Sequence, residues 1–88
     1  MRHATPGTLD TIEDFLDRIR AHPELRERKR GAFYRKSAGF LHFHEDPAGL
    51  FADVKTGVMG FERFKVDTDE ERETMLLAVE AALISQVR

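Results

Sequence analysis

The sequence predicts a two-layer α+β domain of order α(α)ββββα: a four-stranded antiparallel meander with its helices packed on one face, the bracketed helix being a short turn after Pro23. Three observations predict it. Apolar residues recur at helical spacing near both ends of the chain. Between them lie four short runs rich in aromatic and β-branched residues, bounded by turn residues. The connections between these runs are too short for crossovers, so neighbouring strands pair antiparallel.

The chain has 88 residues, enough for one domain with a modest core. At 41% hydrophobic and 34% charged it reads as globular. No apolar run approaches the ~20 residues that cross a bilayer, so no membrane association is expected. Arg2 is followed by no apolar segment, which argues against a secretory signal and makes the cytoplasm the expected compartment. There is no cysteine, which excludes disulfides, thiolate metal sites and a Cys nucleophile. A net charge of −2 argues against a strongly basic nucleic-acid binder. The charge is uneven, however. Arg18 to Lys36 carries eight basic residues against two acidic ones, and Asp67 to Glu80 carries six acidic residues against one Arg. Two oppositely charged faces that attract each other explain this; an anion-binding edge is the sharper alternative.

Residues 1–7 read as a flexible tail, leaving 8–88 as the domain. Thr8 is a good N-cap, and Leu9, Ile12, Phe15, Leu16 and Ile19 form one stripe of a helix that ends near His22, before Pro23. Pro23 suits the start of a short helical turn anchored by Leu25. Strands follow at 32–36, 40–45, 50–56 and 61–66. Thr68 and Glu71 form a capping box, which opens a helix from Asp69 to about Gln86 with Met75, Leu76, Val79, Ala82, Leu83 and Val87 on its apolar face.

Alternation assigns the faces of the sheet. Leu41, Phe43, Leu50, Ala52, Val54, Phe64 and Val66 form the core face, with Ala32 and Tyr34. A four-residue turn at 46–49 sets Glu45 opposite Leu50, Phe43 opposite Ala52 and His42 opposite Asp53. Similar turns set Phe33 opposite His42, Lys55 opposite Phe61 and Asp53 opposite Arg63. The second face then carries the rows Arg35, Phe40, Lys55, Phe61; Phe33, His42, Asp53, Arg63; and His44, Phe51, Lys65.

That face supplies the functional candidates. Phenylalanines among cations could stack bases and meet phosphates. They could equally pack within the fold or at a homodimer interface, with the cations snorkelling around them. His42 and His44 lie two apart and share a face with Asp53, a set that could ligate zinc. The blander alternative is an ion pair of His42 with Asp53, which would raise the His42 pKa. A His42–Asp53 acid–base pair lacks a nucleophile and an enclosed pocket, so no enzyme activity is expected. The His-x-His pattern is similar to the paired histidines of cupin barrels, but that family's additional glutamate, distant histidine and longer sheet have no counterpart here.

Phe33-Tyr34-Arg35-Lys36, Phe40 to Asp46, Ala52-Asp53-Val54-Lys55 and Phe61-Glu62-Arg63-Phe64 resemble segments of small bacterial proteins catalogued as conserved but uncharacterised. The resemblance spans about residues 8–85 and implies a small α+β fold without assigning a function. The order of elements is also similar to that of the helix-plus-sheet proteins of the YjbR type, although no motif residue carries over. The expectation is therefore a binding or protein-interaction module that uses Phe33, Arg35, Phe40, His42, Asp53, Lys55, Phe61 and Arg63. An unknown protein or a second copy would be the partner, with an anionic ligand such as nucleic acid, or a histidine-bound metal, as alternatives. No cofactor and no specific metal ligand is assigned.

Overall fold

The computed structural model describes residues 1–57 and 60–85. Its order is β1 (Arg2–His3), α1 (Pro6–Asp10), α2 (Glu13–Arg20), β2 (Leu25–Lys29), β3 (Ala32–Arg35), β4 (Ala38–Asp46), β5 (Gly49–Val54), β6 (Glu62–Lys65) and α3 (Asp69–Ser85). The α+β class and the antiparallel meander hold. The meander runs β2-β3-β4-β5-β6, one strand longer than predicted, and β1 adds a sixth strand beside β4.

The core lies between one face of the sheet and the helices. Leu9 from α1, Phe15, Leu16 and Ile19 from α2, and Met75, Leu76, Val79, Ala82 and Leu83 from α3 are all buried against Leu41, Phe43, Ala52 and Val54. The Phe15 ring meets Phe43 edge-on at 6.0 Å between centroids. Val87, predicted for the same face of α3, lies outside the described residues. No helix among the described residues is long and apolar enough to cross a membrane.

The predicted capping box is present. Thr68 Oγ1 accepts the Glu71 N–H at 3.1 Å, and Glu71 Oε1 accepts the Thr68 N–H at 3.0 Å. One exposed ion pair joins the two charged segments, Arg18 on α2 with Glu73 on α3. Arg20 bonds Glu13, Asp17 and Glu27, and Arg30 pairs with Asp10 and Glu13, so these two guanidinium groups are neutralised by nearby carboxylates rather than by the acidic segment.

Four expectations are corrected. Residues 1–7 are not a loose tail. Arg2 pairs with Glu45 and His3 with His44, while the Ala4 N–H bonds the Phe43 carbonyl at 3.1 Å. Thr5 then caps α1 by accepting the Thr8 N–H at 3.2 Å, with Pro6 at the first helical position, where its missing N–H costs nothing. Second, the predicted first helix is two helices, interrupted at Ile12, whose φ of −122° and ψ of 26° leave the α region.

Third, the segment after Pro23 is a strand and not a helical turn. It pairs with β3 through Leu25↔Arg35, Arg26↔Tyr34 and Glu27↔Phe33. Its inward carboxylate, Glu27, is satisfied by Arg20 at 2.6 and 3.0 Å and by the Gly31 N–H at 2.9 Å. The Arg30-Gly31 turn requires a positive φ, and Gly31 supplies 80°.

Fourth, the β3–β4 register differs by one residue. Ala32 faces His42 and Phe33 faces Leu41; Tyr34 then faces Gly39. Phe40 is the extra residue of a β-bulge, and the turn shortens to Lys36-Ser37, with Lys36 at φ 57°. The predicted β4–β5 register holds from Leu41↔Val54 to Glu45↔Leu50, and pairing continues one step into the predicted loop at Asp46↔Gly49; Asp53↔Arg63 between β5 and β6 also holds.

Candidate functional site

The helices leave the other face of the sheet open, and β4 places His42 and His44 on it because alternate residues share a face. The β4–β5 register puts Asp53 opposite His42, and β6 puts Arg63 opposite Asp53. From the other edge of β4, β1 puts His3 opposite His44. Four strands thus bring three imidazoles, a carboxylate and a guanidinium together.

One ligand atom from each of His42, His44 and Asp53 lies within 4.8 Å of the other two. Zn–N and Zn–O bonds of about 2.0–2.1 Å place tetrahedral ligands ~3.3 Å apart, so each atom needs to move inward by less than about 1 Å. Two of the three imidazole spacings match those of a shared ion. Adding ~1.1 Å from nitrogen to ring centre puts two zinc-bound imidazole centroids ~5.2 Å apart. His42 and His44 are at 5.1 Å, His3 and His44 at 4.8 Å, and His3 and His42 at 6.5 Å.

The protonation states suit a metal. Burial, the largest effect, pushes the His42 and His44 pKa values down, and the nearby Asp53 charge opposes it without prevailing. This reverses the expected rise at His42. The imidazole within ion-pair distance of Asp53 is that of His44, with Nε2 3.3 Å from Oδ2. Neutral imidazoles carry the lone pair a metal needs. The Asp53 carboxyl is held below the usual range chiefly by hydrogen bonds from Arg63, whose Nε donates to Oδ1 at 2.8 Å and Nη2 to Oδ2 at 2.9 Å. A carboxylate has about four acceptor positions, so these two bonds leave others for an ion.

The predicted site residues separate into three groups. His42, Asp53, Arg63 and Phe61 do converge, and the Phe61 ring lies 5.3 Å from that of His42. Arg35, Phe40 and Lys55 meet at the other end of β4, around a shallow hollow of about 200 Å³. Phe33 belongs to neither group. Both Phe33 and Phe40 are core residues, each 1% exposed, because the bulge turned Phe33 onto the Leu41 side and let Phe40 pack inward. Of the four phenylalanines assigned to the open face, Phe51 is half-buried and only Phe61 is exposed. The rings that a base-stacking surface would require are therefore mostly within the fold.

β3 and β1 share one edge of β4, and between them lies a notch of about 660 Å³. Leu41 and Phe43 contribute to its apolar lining, and His3 and His42 line it as well. His3 is the residue that sequence reasoning missed. Its signal was Thr5-Pro6, an N-cap followed by a proline at the first helical position, which starts the helix early enough to fold residues 2–4 back onto β4.

No protein-family model, curated protein or solved structure matches the chain, in keeping with a resemblance that implies no function.

Proposed function

We propose that this domain is a binding module whose open face holds a divalent transition-metal ion of the zinc type through His42, His44 and Asp53. The observation that carries the reading is the convergence of these three ligand atoms within 4.8 Å, on adjacent strands of one sheet. Two neutral imidazoles and one carboxylate suit zinc and its neighbours; magnesium and calcium favour oxygen-only sites. Strand placement supports it further, since ligands on paired strands keep their spacing better than ligands on loops. The module's interaction role is read through the same site: Phe61 and Arg63 flank the ion and would be the first residues a partner meets.

The test is calorimetric and thermal titration of the purified domain with ZnCl₂. At a hundredfold excess over Kd, binding adds ~2.7 kcal/mol to stability. For a domain of this size that raises Tm by about 10–20 °C. His42→Ala and His44→Ala should each abolish the shift, while Arg35→Ala, at the other end of β4, should leave it intact. Absence of a shift in the unaltered protein, or a shift that survives both histidine substitutions, would remove the reading.

A further inference from the structure

The three ligands of β4 and β5 leave a zinc-type ion one position short of the four it takes in a closed structural site. A vacant position would be filled by water and would make the site resemble a catalytic one. The sheet offers another candidate. His3 is the direct cross-strand neighbour of His44, and its ring centre lies 4.8 Å from that of His44, close to the spacing of two imidazoles on one ion. It is 6.5 Å from His42, about 1.3 Å too far, and it stacks on His44 at an interplanar angle of 30°. His3 is exposed, so a change at its first side-chain torsion can carry the ring toward the ion and the second can aim a nitrogen, at the cost of the stack on His44.

The attachment of β1 gives this position its consequence. The strand is two residues long and both are exposed. Beyond its two-residue pairing with β4, it is held by the Arg2–Glu45 contact at 3.4 Å, the Thr5 N–H to Glu45 at 2.8 Å, the Ala4 N–H to the Phe43 carbonyl, the partial packing of Ala4 on the core, and the His3 stack. A docked strand of two exposed residues is the kind of element that lies toward the low-stability end of a fold.

Building on the metal reading, we propose that His3 is the fourth ligand and that the ion is a clasp fastening the N-terminal strand to the sheet. In this arrangement the ion closes its own coordination shell, converts a weakly held strand into a fixed one, and sets one wall of the notch between β1 and β3. The site is then structural and regulatory in character: with the ion bound, the segment from Arg2 to Thr5 is docked, and without it that segment opens more often.

The experiment is zinc titration by calorimetry combined with amide hydrogen exchange, on the unaltered chain and on His3→Ala and Arg2→Ala. His3→Ala should weaken zinc binding at least ~10-fold, by analogy with the 10–100-fold lost when even outer-shell partners of a metal site are removed. Zinc should slow exchange of the Ala4 and Thr5 amides in the unaltered chain and in Arg2→Ala, and leave it unchanged in His3→Ala. Equal zinc affinity in the unaltered chain and His3→Ala, with no protection of those amides, overturns the clasp and leaves the three-ligand site standing. An equal loss in Arg2→Ala and His3→Ala also overturns it, because strand pairing and not the imidazole would then be responsible. Failure of the unaltered chain to bind zinc removes both readings together.

Discussion

Phe33→Ala and Phe61→Ala together test the placement of the aromatic residues, on which the choice between a stacking surface and a point-ligand site depends. Alternation from the predicted turn puts both rings on the open face. The bulge at Phe40 puts Phe33 in the core at 1% exposure and leaves Phe61 at 48%. Removing a buried Phe ring costs about 3–5 kcal/mol, because the transfer energy is lost and a cavity remains. Full burial of a Phe side chain contributes about 1.5–3 kcal/mol, so the half-exposed Phe61 should lose only ~1 kcal/mol. A domain of this length has a total stability of roughly 4–13 kcal/mol, so Phe33→Ala removes a large share of it and Phe61→Ala a small one. Urea denaturation measures the difference as a shift in midpoint at constant slope. Should Phe33→Ala fail to fold, the pair Phe33→Leu and Phe61→Leu keeps the comparison readable, because the truncation leaves unfilled space at the buried position and little at the half-exposed one. Equal and mild losses at the two positions would place Phe33 on the open face, refuting the observed register and restoring the aromatic surface.

Acid stability should fall in two separate windows. His42 and His44 have lowered folded pKa values, so the unfolded chain binds more protons than the folded one once the pH drops below the ordinary histidine value of 6.5. Their contribution is complete above 6.5 and is lost as the pH falls through the lowered values; Asp53, Glu13 and Glu45, also lowered, act only below their ordinary values of 3.8 and 4.5. Urea midpoints measured from pH 8 to pH 5 without metal should decline, and the decline should shrink in His42→Gln; a flat profile would contradict the burial of these imidazoles. Gly49→Ala should cost about 1–3 kcal/mol, because φ there is 138° and a Cβ would be driven into the Asp67 carboxylate that accepts the Leu50 N–H. An unchanged melting temperature would show that the turn relaxes freely.

What was legible in the sequence follows from how strongly each pattern is constrained. The β4–β5 hairpin could be read to the residue because one face must be apolar, and only one turn length matched Phe43 to Ala52 and His42 to Asp53. The start of α3 could be read because Thr68 and Glu71 are local and reciprocal. β2 could not, because Leu25-Arg26-Glu27-Arg28-Lys29 has almost no apolar alternation. Its inward position is a glutamate whose partner, Arg20, is on another element, and pattern alone does not reveal a long-range ion pair. The bulge was invisible for a related reason. A one-residue insertion changes no composition, yet it moves Phe33 from one face to the other. His3 was lost with β1, since two residues show no period.

The bulge also explains why β4 can serve two ends of the molecule. On its N-terminal side the extra residue lets Phe40 and Leu41 both be buried, and the strand contributes core. On its C-terminal side strict alternation resumes, keeping His42 and His44 on the open face while Phe43 points inward. Aromatic area was thus withdrawn from the open face where the imidazoles remained. The charges beside them favour the same chemistry. Arg63 neutralises Asp53, so in the proposed site a dication would meet little net negative charge and would have to be held by ligand strength. Magnesium and calcium, which depend on carboxylate and carbonyl oxygens, gain little in such a site. Zinc, copper and nickel, which bind neutral imidazole well, retain most of what they need. On the proposed reading, the salt bridge that would make this face a poor general cation trap is therefore what would make it discriminating.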